Sequence, residues 1–292
     1  MRAPVRKAVI PAAGFGTRFL PFTRAVPKEM IPLVDKPVIQ YVIEEAAASG
    51  ITDILVIISE GKDAIPQHFR REGSLEKRLE ETGKTQLLAE LEAIDSLANL
   101  HYVFQEELNG LGGAVALAQD FAGSDPFALL LGDTVLRGDG KPVTRQLCDV
   151  YESEGTSAVA LEEVPLEKVS RYGIISGKSE DGVRYRLDAL VEKPAPEEAP
   201  SRLAVASRYL FTPEIFAALA QTPPGKGNEI QITDAMRRML VHHPITGVRF
   251  SGKRYDIGNK LEFLKSTVEF GLRRPEFRDA FAEFLKQTVK EL

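Results

Sequence analysis

Between Ala8 and Pro37 the chain sets five prolines and four basic residues around the run Gly14-Phe15-Gly16-Thr17-Arg18, followed by Pro27-Lys28-Glu29. Residues of these types do chemistry on polyanions. Glycines let bare backbone N–H groups approach phosphate with no Cβ in the way, and successive N–H groups can form an anion-binding concavity. Arg18 offers a planar fork to phosphate oxygens, and Lys28 a mobile point charge. Prolines fix φ, so such a loop is held in shape before anything binds. Neither familiar phosphate loop is present. The P-loop spacing of two glycines five apart before Lys and Ser or Thr is missing, and the dinucleotide fingerprint needs a third glycine where Phe19 stands.

The other chemically capable residues lie far away in sequence. Asp133 follows the apolar run Leu129-Leu130-Leu131 through a single glycine, which sets its carboxylate at the carboxyl edge of a strand. His68, His101, His242 and His243 fall in unrelated places and form no nucleophile-base set. Cys148 is the one cysteine, so no internal disulfide framework exists, and it reads as a small buried apolar residue.

The elements that must position these residues are legible as alternating patterns. Ala8-Val9-Ile10, Ile54 to Ile58, His101 to Phe104 and Phe127 to Leu131 are short strand-like runs that end in polar or small residues. Continuous apolar runs of this length suit a parallel sheet covered on both faces. Val38, Ile39, Val42, Ile43, Ala46 and Ala47 recur at helical spacing before Gly50, which predicts a strand-loop-helix-strand crossover. Leu75 to Leu100 reads as a charged helix or helix pair broken near Gly83.

From Thr156 on, Ser157 to Leu161, Tyr172 to Ile175, Tyr185 to Leu187 and Ala204 to Ala206 are short strands separated by Gly, Asp and Pro. They predict antiparallel additions to the sheet or a small lobe. A helix after Thr212-Pro213, another over Ile232 to His242, and a helical Leu261 to Leu292 broken at Arg274-Pro275 complete the pattern. The expected fold is α/β: a Rossmann-like, doubly wound, mostly parallel sheet with added antiparallel strands and a helical C-terminus. Residues 1–265 would form the main domain, with one half over about 1–150 and a second over about 151–265, and residues 266–292 a C-terminal helical extension.

At 292 residues with 43% hydrophobic and 27% charged content, the composition is that of an ordinary globular protein. A formal net charge of −5 argues against nucleic acid as a partner, so the cations of the loop must act locally. The basic N-terminus runs into a strand too short for a signal h-region, and no stretch approaches the length of a membrane span. The expectation is a cytoplasmic protein with no membrane partner.

Eight segments, in order, resemble one family. They are "AAGFGTRFLPFTRAVPKEMIPLVDKPVIQYVIEEAAASGI", "QEELNGLGGAV", "LLLGD", "RYGII", "VEKP", "SRYLFTPEIF", "NEIQITDAM" and "YDIGNKLEFLKSTVEFGLRRPEF". Together they are similar to the sugar-1-phosphate nucleotidyltransferases, specifically to the bacterial UTP:glucose-1-phosphate uridylyltransferases, or UDP-glucose pyrophosphorylases. The resemblance implies attack by a sugar-phosphate oxygen on the α-phosphorus of a nucleoside triphosphate, loss of pyrophosphate, and Mg²⁺ as cofactor. It also implies UTP and glucose 1-phosphate as substrates and a homodimer or homotetramer.

The resemblance further implies roles for individual residues. The backbone of Ala12, Ala13 and Gly14 would meet base and ribose, and Gly16, Thr17 and Arg18 would wrap the phosphates. Arg18 and Lys28 would stabilise the α-phosphate and the departing pyrophosphate. Asp133 and Asp256 would hold Mg²⁺. Lys193 would bind the phosphate of glucose 1-phosphate, Glu192 would accept hydrogen bonds from sugar hydroxyls, and Gly173 would leave room for the ring. Gln105 would read the base: its amide matches the N3–H and O4 of uracil, but flipped it matches cytosine, so the backbone around Gly110 and Gly112 must decide.

Tyr255-Asp256-Ile257-Gly258 supports the uridylyl branch over the thymidylyl one, where a Trp-Leu pair precedes the second metal acid. Thr134 and Phe104 depart from the pattern, which often has an acid and a basic residue there. Glu229 and Asp234 read as helix-entry and capping residues. The alternatives are a related enzyme using dTTP, CTP or another sugar 1-phosphate, or a non-catalytic regulator that binds nucleotide-sugars. Intact Arg18, Lys28, Asp133, Lys193 and Asp256 speak against the regulator.

Overall fold

Apolar runs separated by helical crossovers form adjacent parallel strands, because each crossover returns the chain to the same end of the sheet. The computed structural model describes residues 2–179 and 181–291. Its strands are β1 (Lys7–Pro11), β2 (Pro32–Leu33), β3 (Lys36–Pro37), β4 (Asp53–Ile58), β5 (Asn99–Phe104), β6 (Phe127–Leu130), β7 (Thr134–Gly138), β8 (Ser157–Glu163), β9 (Gly173–Lys178), β10 (Arg184–Glu192), β11 (Leu203–Phe211), β12 (Ile245–Arg249) and β13 (Gly252–Asp256). Nine of them make one sheet in the order β5-β4-β1-β6-β11-β8-β12-β10-β9. Strands β5, β4, β1, β6, β8, β12 and β9 run one way, and β11 and β10 the other. The sheet is therefore mostly parallel with antiparallel additions, as expected, and it runs unbroken through both halves of the chain.

Alternation along the strands splits the core into two layers. Val9, Leu55, Ile57, Phe127 and Leu129 pack on one face. Ala8, Ile10, Ile54, Val56, Ala128 and Leu130 pack on the other. Helices Val38–Ala48 and Val143–Glu154 cover the second face, and Gly110–Ala116, Glu214–Ala220 and Ile232–Met239 the first, which is the doubly wound arrangement. Gly50 closes the first crossover helix with φ of 91° and Gly83 separates helices Gly73–Glu81 and Thr85–Asp95 with φ of 67°, conformations that favour glycine. Cys148 lies in the second layer, where burial pushes its thiol pKa up to about 12, so it is inert packing.

Three features differ from the sequence reading. The strand expected over Tyr185 to Leu187 extends to Glu192, whose side chain thereby reaches a strand end. A ribbon of β7 and β13 was not foreseen; Thr134 alone gave no warning of a strand beginning directly after Asp133. The boundary expected at residue 265 falls inside the helix Lys260–Gly271, which packs against Leu33, Val135 and Tyr255. A second C-terminal helix, Arg278–Lys290, follows the break.

One buried ion pair ties the ribbon to both helices of the second face. Arg208 of β11, with no exposed surface, meets Glu45 Oε2 through Nη2 at 2.7 Å and donates through the same nitrogen to the carbonyl of Thr134 at 2.9 Å. Glu45 also accepts from the Thr144 N–H and hydroxyl. A buried pair of this kind is weak evidence of net stabilisation, but removing one partner strands the other. Arg208→Met is expected to cost about 3–5 kcal/mol in urea unfolding, and Glu45→Met added to it to recover most of that loss. An additive double variant would show that the two charges are not coupled.

Candidate active site

Because β1, β4, β5 and β6 are parallel and in register, the segments that leave them all emerge at one edge of the sheet. That edge collects Ala12 to Arg18, Ser59 to Lys62, Gln105, and Gly132-Asp133. Gly132 fits closely there, since a Cβ would sit 3.1 Å from the Pro11 carbonyl. The loop after β1 folds into three short 3₁₀ turns, Thr17–Phe19, Phe22–Arg24 and Lys28–Met30. Gly16 has φ of 69°, and a Cβ on it would approach Lys28 Cβ to 3.0 Å, so the glycine lets the two arms of the loop close on each other. Thr23 Oγ1 donates to the Gly16 carbonyl, and the Phe19 ring meets Phe263 of the C-terminal helix edge to face.

The cations of the loop converge with the two acids. Lys28 Nζ donates to Asp133 Oδ2 at 2.6 Å. A Cβ placed on Gly258 would lie 3.2 Å from Asp256 Oδ1, 3.5 Å from an Arg18 Nη and 3.8 Å from Asp133 Oδ2, so these three side chains surround one point. Asp133 and Asp256 come together because β7 and β13 pair with Asp256 opposite Thr134. Burial works to raise the Asp133 pKa, yet the charge and hydrogen bond of Lys28, with Arg18 beyond, outweigh it and hold the carboxyl below its ordinary value. Burial likewise opposes the Lys28 ammonium, but Asp133 and Glu29 prevail and raise it.

These residues line a cavity of about 830 Å³, within the range of small-molecule sites. Gly14, Gly16, Thr17, Arg18, Lys28, Asp133, Gly173, Glu192, Lys193 and Asp256 all belong to its wall. On the far side, Glu192 is held by Thr233 Oγ1 at 2.7 Å and lies 3.0 Å from Lys193 Nζ. A Cβ on Gly173 would come 3.2 Å from Thr233 Oγ1 and 3.3 Å from Glu192 Oε2, so glycine leaves room for that hydrogen bond. Lys193 itself has φ of 46°, a strained conformation for a residue with a side chain.

Several wall residues were not picked out from sequence. Arg254 pairs with Glu162 and donates to the Tyr172 hydroxyl at 3.0 Å. It lies over the Tyr172 ring and 3.8 Å from Asp256 Oδ2. The available signal was strand periodicity, which puts residues 254 and 256 on one face. Thr233 lies two residues past Gln231 at a helix start, and Glu229, read as helix entry, also reaches the wall.

Five expected nucleotide residues lie outside the cavity wall. Ala12 and Ala13 are buried, and Gln105 is buried at the end of β5. Gly110 and Gly112 are needed for close packing against residues 229–230: a Cβ on Gly112 would sit 2.6 Å from the Ile230 carbonyl, and the Gly112 N–H already donates to that carbonyl at 2.8 Å. Gln105 Nε2 donates to Asn109 Oδ1 at 3.1 Å and approaches the Gly110 carbonyl at 3.5 Å.

A mostly parallel sheet with a cationic loop and paired acids at one edge is the arrangement of an enzyme acting on nucleoside phosphates. The family model for nucleotidyl transferases matches residues 7–270, and the chain belongs to that family. It is 51% identical over 290 residues to UTP--glucose-1-phosphate uridylyltransferase YngB of Bacillus subtilis (strain 168), covering 99% of this chain and 97% of the relative. Among solved structures, it is similar to a UDP-glucose pyrophosphorylase complexed with UDP-glucose, with a TM-score of 0.85, 39% identity and coverage of 92% of this chain and 100% of the other. It is also similar to a UTP-bound UGPase from Acinetobacter baumannii, with a TM-score of 0.89, 36% identity and 99% coverage of both chains. No helix among the described residues is long and apolar enough to cross a membrane.

The pKa directions fix a pH dependence. A folded-state carboxyl lowered below its unfolded value contributes stability that is present above the unfolded pKa and lost as pH falls through the folded one. The Asp133 contribution should therefore be complete at neutral pH and vanish in acid, while the raised Lys28 keeps the pair charged into the alkaline range. Thermal melts of the wild type and Asp133→Asn are expected to differ at pH 7 and to converge as pH falls below about 4. A difference that stays constant with pH would trace the effect to packing instead.

Proposed function

We propose that this chain joins UTP and glucose 1-phosphate to give UDP-glucose and pyrophosphate. The observation that carries the reading is the convergence of Arg18, Lys28, Asp133 and Asp256 on one wall of a cavity whose opposite wall presents Glu192 and Lys193. In the reaction, a phosphate oxygen of glucose 1-phosphate bonds to the α-phosphorus of UTP as the α–β bridging bond breaks, and pyrophosphate leaves with the electron pair. No covalent protein intermediate is needed; in-line positioning and charge neutralisation carry the catalysis.

The roles we assign are those the family resemblance implies, and the placement of the residues supports them. Lys193 holds the sugar phosphate, and Glu192, fixed by Thr233, accepts from sugar hydroxyls. The loop backbone from Gly14 to Thr17 wraps the triphosphate. Arg18 and Lys28 oppose the charge that develops on the α-phosphate and the leaving group, and loss of either is expected to cost about 2–5 kcal/mol in the transition state.

Asp133 and Asp256 fit a hard divalent cation. Both are carboxylates, and the described residues hold no cluster of three His, Cys, Asp or Glu, so most positions would fall to water and phosphate oxygens, as Mg²⁺ prefers. Bound there, Mg²⁺ would supply charge neutralisation to the phosphates. Gln105 Nε2 is held by Asn109 Oδ1 and the Gly110 carbonyl, which leaves Oε1 to accept a base N–H. The N3–H of uracil and the amino group of cytosine both offer one, so this amide alone does not choose the base.

A cytoplasmic setting suits a nucleoside triphosphate substrate. The last helix, Arg278–Lys290, has no buried residue and is proposed to take part in a homodimer or homotetramer.

Pyrophosphate release should require UTP, glucose 1-phosphate and Mg²⁺ together. Assays of UTP, dTTP, CTP and ATP against a panel of sugar 1-phosphates test this. Equal rates with dTTP would overturn the uracil assignment, and absence of turnover with every pair would overturn the enzyme. Asp133→Asn and Asp256→Asn are each expected to lower kcat/KM by about 100-fold or more and to shift the Mg²⁺ requirement upward.

A further inference from the structure

Behind the phosphate loop lie two buried polar side chains that the reaction above does not use. Ser59 and Lys62 sit in the segment leaving β4 and are 9% and 6% exposed. Ser59 Oγ donates to the Ala13 carbonyl at 2.7 Å, and Lys62 Nζ to the Gly14 carbonyl at 2.7 Å. In a trans peptide unit the C=O and the next N–H point in opposite directions. Tethering the Ala13 and Gly14 carbonyls toward β4 therefore aims the N–H groups of Gly14 and Phe15 away from it. On that side Gly14 meets the cavity, and Lys28 Nζ would lie 3.8 Å from a Gly14 Cβ. Among the described residues, neither N–H has a protein acceptor.

A buried ammonium is a costly carbonyl tether unless it is paired. Glu29, 1% exposed, pairs with Lys62 at 3.0 Å and stands 3.8 Å from Lys28 Nζ, which holds Asp133. The charges alternate along the row Lys62, Glu29, Lys28, Asp133. A neutral donor could hold the Gly14 carbonyl, but only a cation can also balance Glu29 and so link the loop backbone to Lys28.

We propose that Ser59 and Lys62 are positioning residues that preset the Gly14 and Phe15 N–H groups as donors to the nucleoside triphosphate, and that Lys62 registers this pair with Lys28 through Glu29. The inference rests on reading the loop as the triphosphate cradle.

Calorimetric titration with UTP in the absence of sugar, alongside steady-state kinetics, tests it. Lys62→Met is expected to weaken UTP binding by about tenfold and to raise KM for UTP, with KM for glucose 1-phosphate changed by less than about twofold. Lys62→Gln, which keeps an N–H donor for the Gly14 carbonyl but not the charge opposite Glu29, should recover part of the affinity. Ser59→Ala leaves the Glu29–Lys62 pair intact and should weaken UTP binding by about threefold, and it carries the test if the Lys62 variants do not fold. Folded variants that bind UTP like the wild type, a Lys62→Met that raises both KM values alike, or a Lys62→Gln no better than Lys62→Met would each overturn the inference. A wild type that turns over beside unaffected variants would sink this inference alone. A wild type that binds no UTP would sink the proposed function and this inference with it.

Discussion

The contact between Lys28 Nζ and Asp133 Oδ2 joins a loop from the first crossover to a strand end 105 residues away, and the organisation of the site depends on it. It fixes where the cationic arm of the loop lies relative to the carboxyl edge of the sheet. It also lets a concentration of basic residues exist in a protein of net charge −5, because the cations at the site face carboxylates: Lys28 faces Asp133, Lys62 faces Glu29, Lys193 faces Glu192, and Arg254 faces Glu162. The rigidity and the charge of the opening loop are thus parts of one arrangement. The glycines let its arms approach, and the acids keep its cations in place.

Much of this was legible in the sequence, for a physical reason. Short apolar runs separated by helical patterns can hardly avoid a parallel sheet, and parallel strands deliver their trailing loops to a common edge. Hence Arg18, Lys28 and Asp133 could be placed near one another from pattern alone. Gly173, Glu192, Lys193 and Asp256 came instead from resemblance, since nothing in their own spacing indicates a shared site. The cavity wall holds all four of these beside Arg18, Lys28 and Asp133.

What was not legible depends on pairings between distant segments. No strand was read over residues 134–138, and their partner at 252–256 lies more than a hundred residues on. Only in the fold do they form the ribbon that sets Asp256 opposite Thr134. Lys62 is a similar case: Glu60-Gly61-Lys62 looks like an exposed charged turn, and its burial follows from Glu29 and the Gly14 carbonyl closing over it. The backbone around Gly110 and Gly112 was expected to decide the base, and these glycines are also what lets residues 229–230 pack within reach. A glycine that permits close approach does not say what approaches.

The alternating charges also bear on how phosphate can enter a site whose cations are already paired. An ammonium has three N–H donors, so Lys28 can keep Asp133 on one and offer the others to an anion. A guanidinium has five in a fixed plane, and Arg18 is held near Asp133 and Asp256 with no ion pair of its own among the described residues, which leaves its fork available. Binding therefore need not break the internal row. It adds negative charge to cations whose pairing has already set their direction, so less reorganisation remains for the moment of reaction. The same logic explains why the acids that steady the loop are those suited to a divalent cation: phosphate brought against Asp133 and Asp256 adds like charge, and a cation between them turns that repulsion into a bridge.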